Sequence, residues 1–199
     1  ELRTPLSLIS GPLRDAARGQ SLAPATIDIM LANARRLERL VTELLDLERI
    51  DAGRFPLHPA SHDLASLLRS WVDAFTPLAT RRQVHLVYAG TDETHVAHFD
   101  AEQMARAVGN LLANAIKFTP AGGHVEVGLE RAGERLRIRV DDTGPGIPQA
   151  WRERIFDRFS QVGSEALRRQ EGSGLGLVLC REIANLHGGG VRVEQRPGG

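Results

Sequence analysis

Apolar residues open the chain in a helical rhythm. Leu2, Leu6, Ile9, Leu13 and Ala16 recur at alternating steps of four and three, the stripe of a helix that packs on another helix. Pro5 and Pro12 interrupt it, and each is expected to kink the helix unless it falls in the first turn. Gly19 to Pro24 reads as a loop. A second helix is expected from about Pro24 to Ala52, with Met30, Asn33, Leu37, Leu40, Leu44 and Leu47 as its stripe, widened by Val41 and Leu45, and Gly53 as its stop. A short loop between two amphipathic helices implies an antiparallel hairpin. Its apolar surface is too large to stand alone, so a symmetric dimer forming a four-helix bundle is expected, the alternative being packing on the rest of the chain.

The rhythm then changes. Phe55 to Ser61 carries two prolines and reads as a connector with room for one short strand. Asp63 is placed to cap a helix through Leu64, Leu67, Leu68, Trp71, Val72 and Phe75. Val84–Tyr88 reads as a strand, and Asp100–Lys117 as a helix. Val125–Leu129 and Leu136–Val140 alternate apolar and polar residues, the mark of strands with one buried face. A last helix starts near Gly174, and Val191–Val193 looks like a final strand. Helices first, then helices mixed with antiparallel-looking strands, argue for an α+β chain. The hairpin is assigned residues 1–54 and the second module residues 55–199.

Composition narrows the function. The 199 residues carry 25 Lys and Arg against 25 Asp and Glu, so no net field draws the chain to nucleic acid or an anionic membrane. No apolar run is long enough to span a bilayer, and the start does not resemble a signal peptide. The single cysteine, Cys180, forbids an internal disulfide and fits a reducing cytoplasm. Lys117 is the only lysine.

Three segments after residue 100 carry candidate chemistry. Asn110, Asn114 and Lys117 are spaced to share one helix face. Carboxamide oxygens suit Mg²⁺, and an ammonium suits phosphate, though a plain solvated face would look the same. Asp141-Asp142-Thr143-Gly144-Pro145-Gly146-Ile147-Pro148 follows a strand; its glycines permit a sharp turn, and a carboxylate there can accept a hydrogen bond from an exocyclic amine. The alternative is an ordinary loop. Gly172-Ser173-Gly174-Leu175-Gly176-Leu177 runs into a helix and offers backbone N–H groups to an anion. It lacks the Lys-Ser/Thr of a Walker loop and the βαβ context of a dinucleotide fingerprint.

In this order the segments resemble the N box and the two glycine boxes of the histidine kinase ATPase domain, whose relatives include the gyrase and MutL ATPases. The resemblance covers about residues 58 to 196. Ile155-Phe156-Asp157-Arg158-Phe159 looks like the F box, and His187-Gly188-Gly189 like the usual end of the following helix. Glu1-Leu2-Arg3-Thr4-Pro5-Leu6 resembles the H box from the residue after the phosphoacceptor histidine, and the stretch from Leu37 to Gly53 resembles the second hairpin helix. Gyrase and MutL relatives have no such hairpin. The expected fold is a helical hairpin, then a two-layer α/β sandwich that binds ATP.

The resemblance implies a role for each position. Asn114 would hold Mg²⁺ with Asn110 near the phosphates, Lys117 would contact phosphate, and Phe118 would line the pocket. Asp142 would read the adenine amine, with Gly144, Gly146 and Ile147 on that wall. Residues 160 to 173 would form the lid over ATP. Gly172, Ser173, Gly174, Leu175, Gly176 and Leu177 would approach the phosphates. Arg158 would touch phosphate or hold its own segment, and Phe156 and Phe159 would be core residues anchoring the lid. Glu1 would orient or deprotonate the acceptor histidine, and Thr4 would help position water for dephosphorylation of a partner. None of the seven histidines stands in an H-box context, so the acceptor is expected just before Glu1. The implied protein is a cytoplasmic homodimer that uses ATP and Mg²⁺ to phosphorylate a histidine and passes the phosphate to a response regulator; many relatives are anchored upstream in the inner membrane. Two other readings are a pseudokinase scaffold using ATP only as a conformational ligand, and another ATPase of the superfamily.

Overall fold

The computed structural model describes residues 2–90, 93–160 and 174–195. It begins with two helices, α1 (Arg3–Ala17) and α2 (Pro24–Asp51), that pack as an antiparallel pair. Pro5 lies in the first turn of α1 and is buried, while Pro12 sits inside the helix, which is nevertheless continuous across it. Pro24 starts α2 at its first position, where a missing N–H has no helical partner to lose. The expected stripe of α2 is at least half-buried along its length, with Leu40 and Leu47 fully so. Val41 and Leu45 point away from it and stay exposed, as do Leu2 just before α1 and Leu6 and Leu13 within it.

The second module has three main helices over mixed sheet: α3 (Leu64–Arg81), α4 (Ala101–Phe118) and α5 (Gly176–Leu186). Its strands are β1 (Ala60–Asp63), β2 (His85–Tyr88), β3 (Val96–Phe99), β4 (His124–Ala132) and β5 (Arg135–Asp142). They form two sheets, an antiparallel β1–β3 pair and a three-stranded β2–β4–β5 sheet. In the latter, β2 runs parallel to β4 with His85 opposite His124, and β4 runs antiparallel to β5 with Val125 opposite Asp142. The chain between the parallel strands is the crossover that carries α4.

Alternation explains the layers. Val125, Val127 and Leu129 of β4 face the helices with Leu136, Ile138 and Val140 of β5, and join Leu68, Val72, Val108 and Leu112 in the core. On the other face charges pair across the strands, Arg139 with Glu126 and Arg137 with Glu130, and along β5, Arg139 with Asp141. Asp63 accepts from the Ala65 N–H to cap α3, and Asp100 accepts from the Gln103 N–H to cap α4.

Two elements differ from expectation. Val96–Phe99 forms β3, although its four residues carry little alternation; its pairing with β1 rather than its side chains makes it a strand. Residues 191–195 are not in a strand. Val191 packs against the α5 cluster, Arg192 pairs with Glu194, and Gln195 accepts from Arg152.

The hairpin and the second module meet along α2. Leu40, Leu47 and Ile50 of α2 pack on Leu175, Val178, Leu179, Cys180 and Ile183 of the α5 segment and on Ala107 and Leu111 of α4. Burial pushes the Cys180 thiol up to about 12, so the thiolate needed for nucleophilic or redox chemistry is absent near neutral pH.

Candidate functional site

Helix α4 divides its surface three ways. Val108, Leu112 and Ile116 face the sheet, Ala107 and Leu111 face α5, and the remaining stripe presents Asn110, Asn114 and Lys117. All three polar residues are half-buried. Among the described residues, neither the Asn110 nor the Asn114 carboxamide is hydrogen-bonded. Half-buried amides meet their hydrogen-bonding needs through protein or solvent, so these two are open to water or to a ligand. The Lys117 Nζ lies 4.5 Å from the centroid of the Phe118 ring.

The end of β5 adjoins the C-terminus of this helix. Asp142 is exposed, and its Oδ1 accepts from the Gly144 N–H at 2.8 Å. A methyl group at Gly144 would lie 2.7 Å from that oxygen and 3.0 Å from the Phe118 carbonyl oxygen, so only glycine lets the loop pass this close to α4. Thr143, to which no role was assigned, fastens the same turn: its Oγ1 accepts from the His124 N–H at 2.9 Å. Its place inside the Asp-Asp-Thr-Gly run was the available signal. Ile147 is half-buried beyond Gly146, whose φ is +68°.

The glycine segment before α5 closes the third side. A methyl group at Gly176 would lie 3.0 Å from the Asn110 Oδ1, so the first residue of α5 runs directly beside the polar stripe of α4. Leu175 is buried under it, Leu177 is half-buried, and Gly174 accepts from the Phe159 N–H at 3.1 Å. The three segments are thus brought together around α4. Glu1, Gly172, Ser173 and the lid assignment for residues 161–173 lie outside the described residues. Thr4 is exposed in the first turn of α1.

One expectation in the F-box segment is revised. The Arg158 guanidinium pairs with Asp51 and Glu48 of α2, in keeping with the segment-holding alternative. Phe156 is buried as expected, but Phe159 is half-exposed with φ +61°, because its backbone turns to meet Gly174.

Known proteins resemble this chain in both sequence and fold. Residues 99–199 match the family described as histidine kinase-, DNA gyrase B-, and HSP90-like ATPase, and residues 1–53 match the His Kinase A (phospho-acceptor) domain. The chain is 38% identical over its whole length to the sensor histidine kinase TmoS of Ectopseudomonas mendocina, of which it spans 21%. It is 37% identical over 98% of its length to hybrid signal transduction histidine kinase D of Dictyostelium discoideum, of which it spans 13%. Among solved structures, full-length ShkA in complex with AMPPNP matches with a TM-score of 0.75 at 28% identity, over 98% of this chain and 41% of that one. Acinetobacter baumannii AdeS shares the fold, with a TM-score of 0.76 at 20% identity over 92% of this chain and 85% of that one. With both domain families matched in sequence and the fold shared, the chain belongs to the histidine kinase-, DNA gyrase B- and HSP90-like ATPases and is the catalytic core of a histidine kinase.

Proposed function

We propose that the site around α4 binds Mg-ATP and donates its γ-phosphoryl group to a histidine imidazole that directly precedes Glu1 in the longer protein. The observation that carries this is the pair of half-buried carboxamides, Asn110 and Asn114, which have no hydrogen bond among the described residues and are set between the Gly176 backbone and the Asp142–Gly144 turn. The donor set fits the ion: a carboxamide oxygen is a hard ligand, and Mg²⁺ keeps most of its waters and needs few protein groups. Asn114 would hold the ion, which when bound neutralises charge on the phosphates. Asn110, Lys117 and the backbone at Gly174–Gly176, with Gly172, Ser173, Leu175 and Leu177 completing that segment, would position the phosphate chain. Phe118, Gly146 and Ile147 line the side toward the base.

Asp142 reads adenine in this scheme. One of its oxygens is engaged by the Gly144 N–H, which aims the other for the exocyclic amine. Transfer forms a P–N bond to the imidazole, breaks the bond from the γ-phosphorus to its bridging oxygen, and releases ADP. Glu1 orients the imidazole or takes its proton, while positioning and charge neutralisation supply most of the catalysis. The phosphoryl group then passes to an aspartate of a response regulator, and Thr4 positions water when that regulator is dephosphorylated.

The test uses γ-labelled ATP with Mg²⁺. A chain extended upstream is expected to acquire an acid-labile, base-stable phosphate, and residues 1–199 alone are not. Nucleotide binding without labelling of the extended chain would favour the pseudokinase scaffold instead.

We also propose residues 1–54 as the dimerisation and phosphotransfer module and 55–199 as the ATP-binding module. Leu6 and Leu45 are each 53% exposed, and Leu2, Leu13 and Val41 lie open nearby in sequence, more apolar surface than a hairpin leaves to solvent without a partner. A second copy forming a four-helix bundle would cover it. Light scattering is expected to give twice the chain mass at micromolar concentration; a monomer at high concentration would refute the assignment.

A further inference from the structure

His187 occupies a position that none of the proposed chemistry uses. It is the residue on which α5 ends, because Gly188 follows it at φ +70° and the Gly189 N–H turns back to the Ala184 carbonyl at 2.8 Å, a Schellman stop. The imidazole there has two partners. Its Nδ1 lies 2.8 Å from the Ile183 carbonyl oxygen, one turn earlier in the same helix. Its Nε2 accepts from the Asp100 N–H at 3.0 Å. A carbonyl can only accept and a backbone N–H can only donate, so the two contacts fix the neutral tautomer protonated at Nδ1.

Asp100 is a junction. Its Oδ1 accepts from the Gln103 N–H at the start of α4, and its Oδ2 accepts from the His58 N–H of the connector at 2.8 Å. Burial raises its carboxyl, and the backbone N–H groups of Gln103, His58 and Glu102, together with the neighbouring His187 ring, more than offset that, holding it below the ordinary carboxylate range. The end of α5 is therefore tied to a buried and strongly bonded point at the start of α4.

The other end of α5 is where the ligand site lies. Gly176 runs beside Asn110, and Val178, Leu179, Cys180 and Ile183 pack between the two ends on Ala107 and Leu111. The helices are antiparallel. From Gly176 to His187 the rise is about 16 Å, and from Asp100 to Asn110 it is about 15 Å. Apolar packing alone tolerates sliding of one helix along another; a directional hydrogen bond at the far end does not. We infer that His187 is a positioning residue for the phosphate side of the nucleotide site, setting the register of α5 along α4 and hence the distance of the Gly174–Gly176 backbone from Asn110 and Asn114. This rests on the reading of the site as an ATP site. The adenine wall at Asp142 stands on β5, outside this clasp, and is unaffected by it.

The experiment compares residues 1–199 carrying His187, H187A, H187N or H187Q, each competed against labelled ATP with Mg-ATP and with adenosine. Glutamine can place an acceptor oxygen where Nε2 stood; asparagine can reach the Ile183 carbonyl but not the Asp100 N–H. H187A and H187N are expected to weaken ATP binding about tenfold, the worth of one hydrogen bond and its register, with adenosine binding changed less than twofold and H187Q within about threefold of His187. Equal loss of ATP and adenosine, or H187Q behaving as H187N, would overturn the inference by reducing His187 to a structural role. That comparison also stands if H187A does not fold. Failure of the unsubstituted chain to bind ATP would remove the site reading and the inference together, whereas normal binding with an unchanged ATP-to-adenosine ratio in all variants would remove the inference alone. The clasp has a readout without nucleotide: long-range ¹H–¹⁵N spectra are expected to show His187 protonated at Nδ1, and the other tautomer would contradict it.

Discussion

Replacing Asn114 by alanine is expected to weaken Mg-ATP binding at least about 100-fold, roughly 2.7 kcal/mol at room temperature. The substitution removes the proposed oxygen ligand to the ion and leaves the core alone, because Asn114 lies on the polar stripe of α4 and not among Val108, Leu112 and Ile116. Alanine is also the better helix former, so the fold gains rather than loses locally. Removing Mg²⁺ with a chelator is expected to bring the unsubstituted chain down to the affinity of N114A and to change N114A little. Asp142→Asn supplies the contrast. Asparagine has one acceptor oxygen where aspartate has two, and it can serve either the Gly144 N–H or the adenine amine. A loss of about tenfold is expected for ATP, with none for inorganic triphosphate. Calorimetry on the two variants separates the ends of the ligand: if N114A binds ATP normally, or if D142N loses ATP and triphosphate equally, the corresponding assignment is wrong.

Much of this was legible in the sequence, for a physical reason. The stripes of α2, α3 and α4 and the alternation of β4 and β5 are long enough for burial to dictate the pattern, and the three glycine and asparagine segments lie on or beside one helix. What was not legible depends on partners distant in the chain. β3 is a strand because β1 lies next to it, and four residues of its own do not announce that. The Val191–Val193 alternation joins no ladder among the described residues. Arg158 pairs with carboxylates more than 100 residues away, and nothing in its own segment distinguishes that from a phosphate contact. The F-box resemblance puts Phe159 in the core, but the approach of its backbone to Gly174 turns the ring outward. His187 was recognisable as the end of a helix and not as a clasp, since its partner stands 87 positions earlier.

Asp46→Ala is expected to destabilise the chain strongly, and the reason lies in where the two modules touch. The Asp46 side chain is 9% exposed, and its Oδ2 meets the Arg106 Nη2 of α4 at 2.5 Å. Arg106 is further held by the Gln103 Oε1 at 2.9 Å, and Leu47 beside Asp46 is completely buried against α5. Breaking a buried ion pair strands its partner and costs about 3–5 kcal/mol. Because Arg106 keeps 30% of its side-chain surface, the lower end, about 3 kcal/mol, is expected here. Arg158→Ala is the control. Its partners Asp51 and Glu48 are 52% and 64% exposed, so the loss is expected below about 1 kcal/mol. Both pairs cross the same boundary, and only burial separates them. The loss in D46A need not appear as global unfolding. The cheapest relief for an unpaired Arg106 is to part α2 from α4 and α5, which exposes Leu40, Leu47 and Ile50 together. Hydrogen exchange is therefore expected to rise in residues 40–50 and 176–183 while the β4–β5 sheet stays protected, and a double-mutant cycle with Arg106→Ala is expected to return most of the lost stability. Equal effects of D46A and R158A, or exchange that rises uniformly over the second module, would show that apolar packing of α2 on α5 holds the modules together without the ion pair.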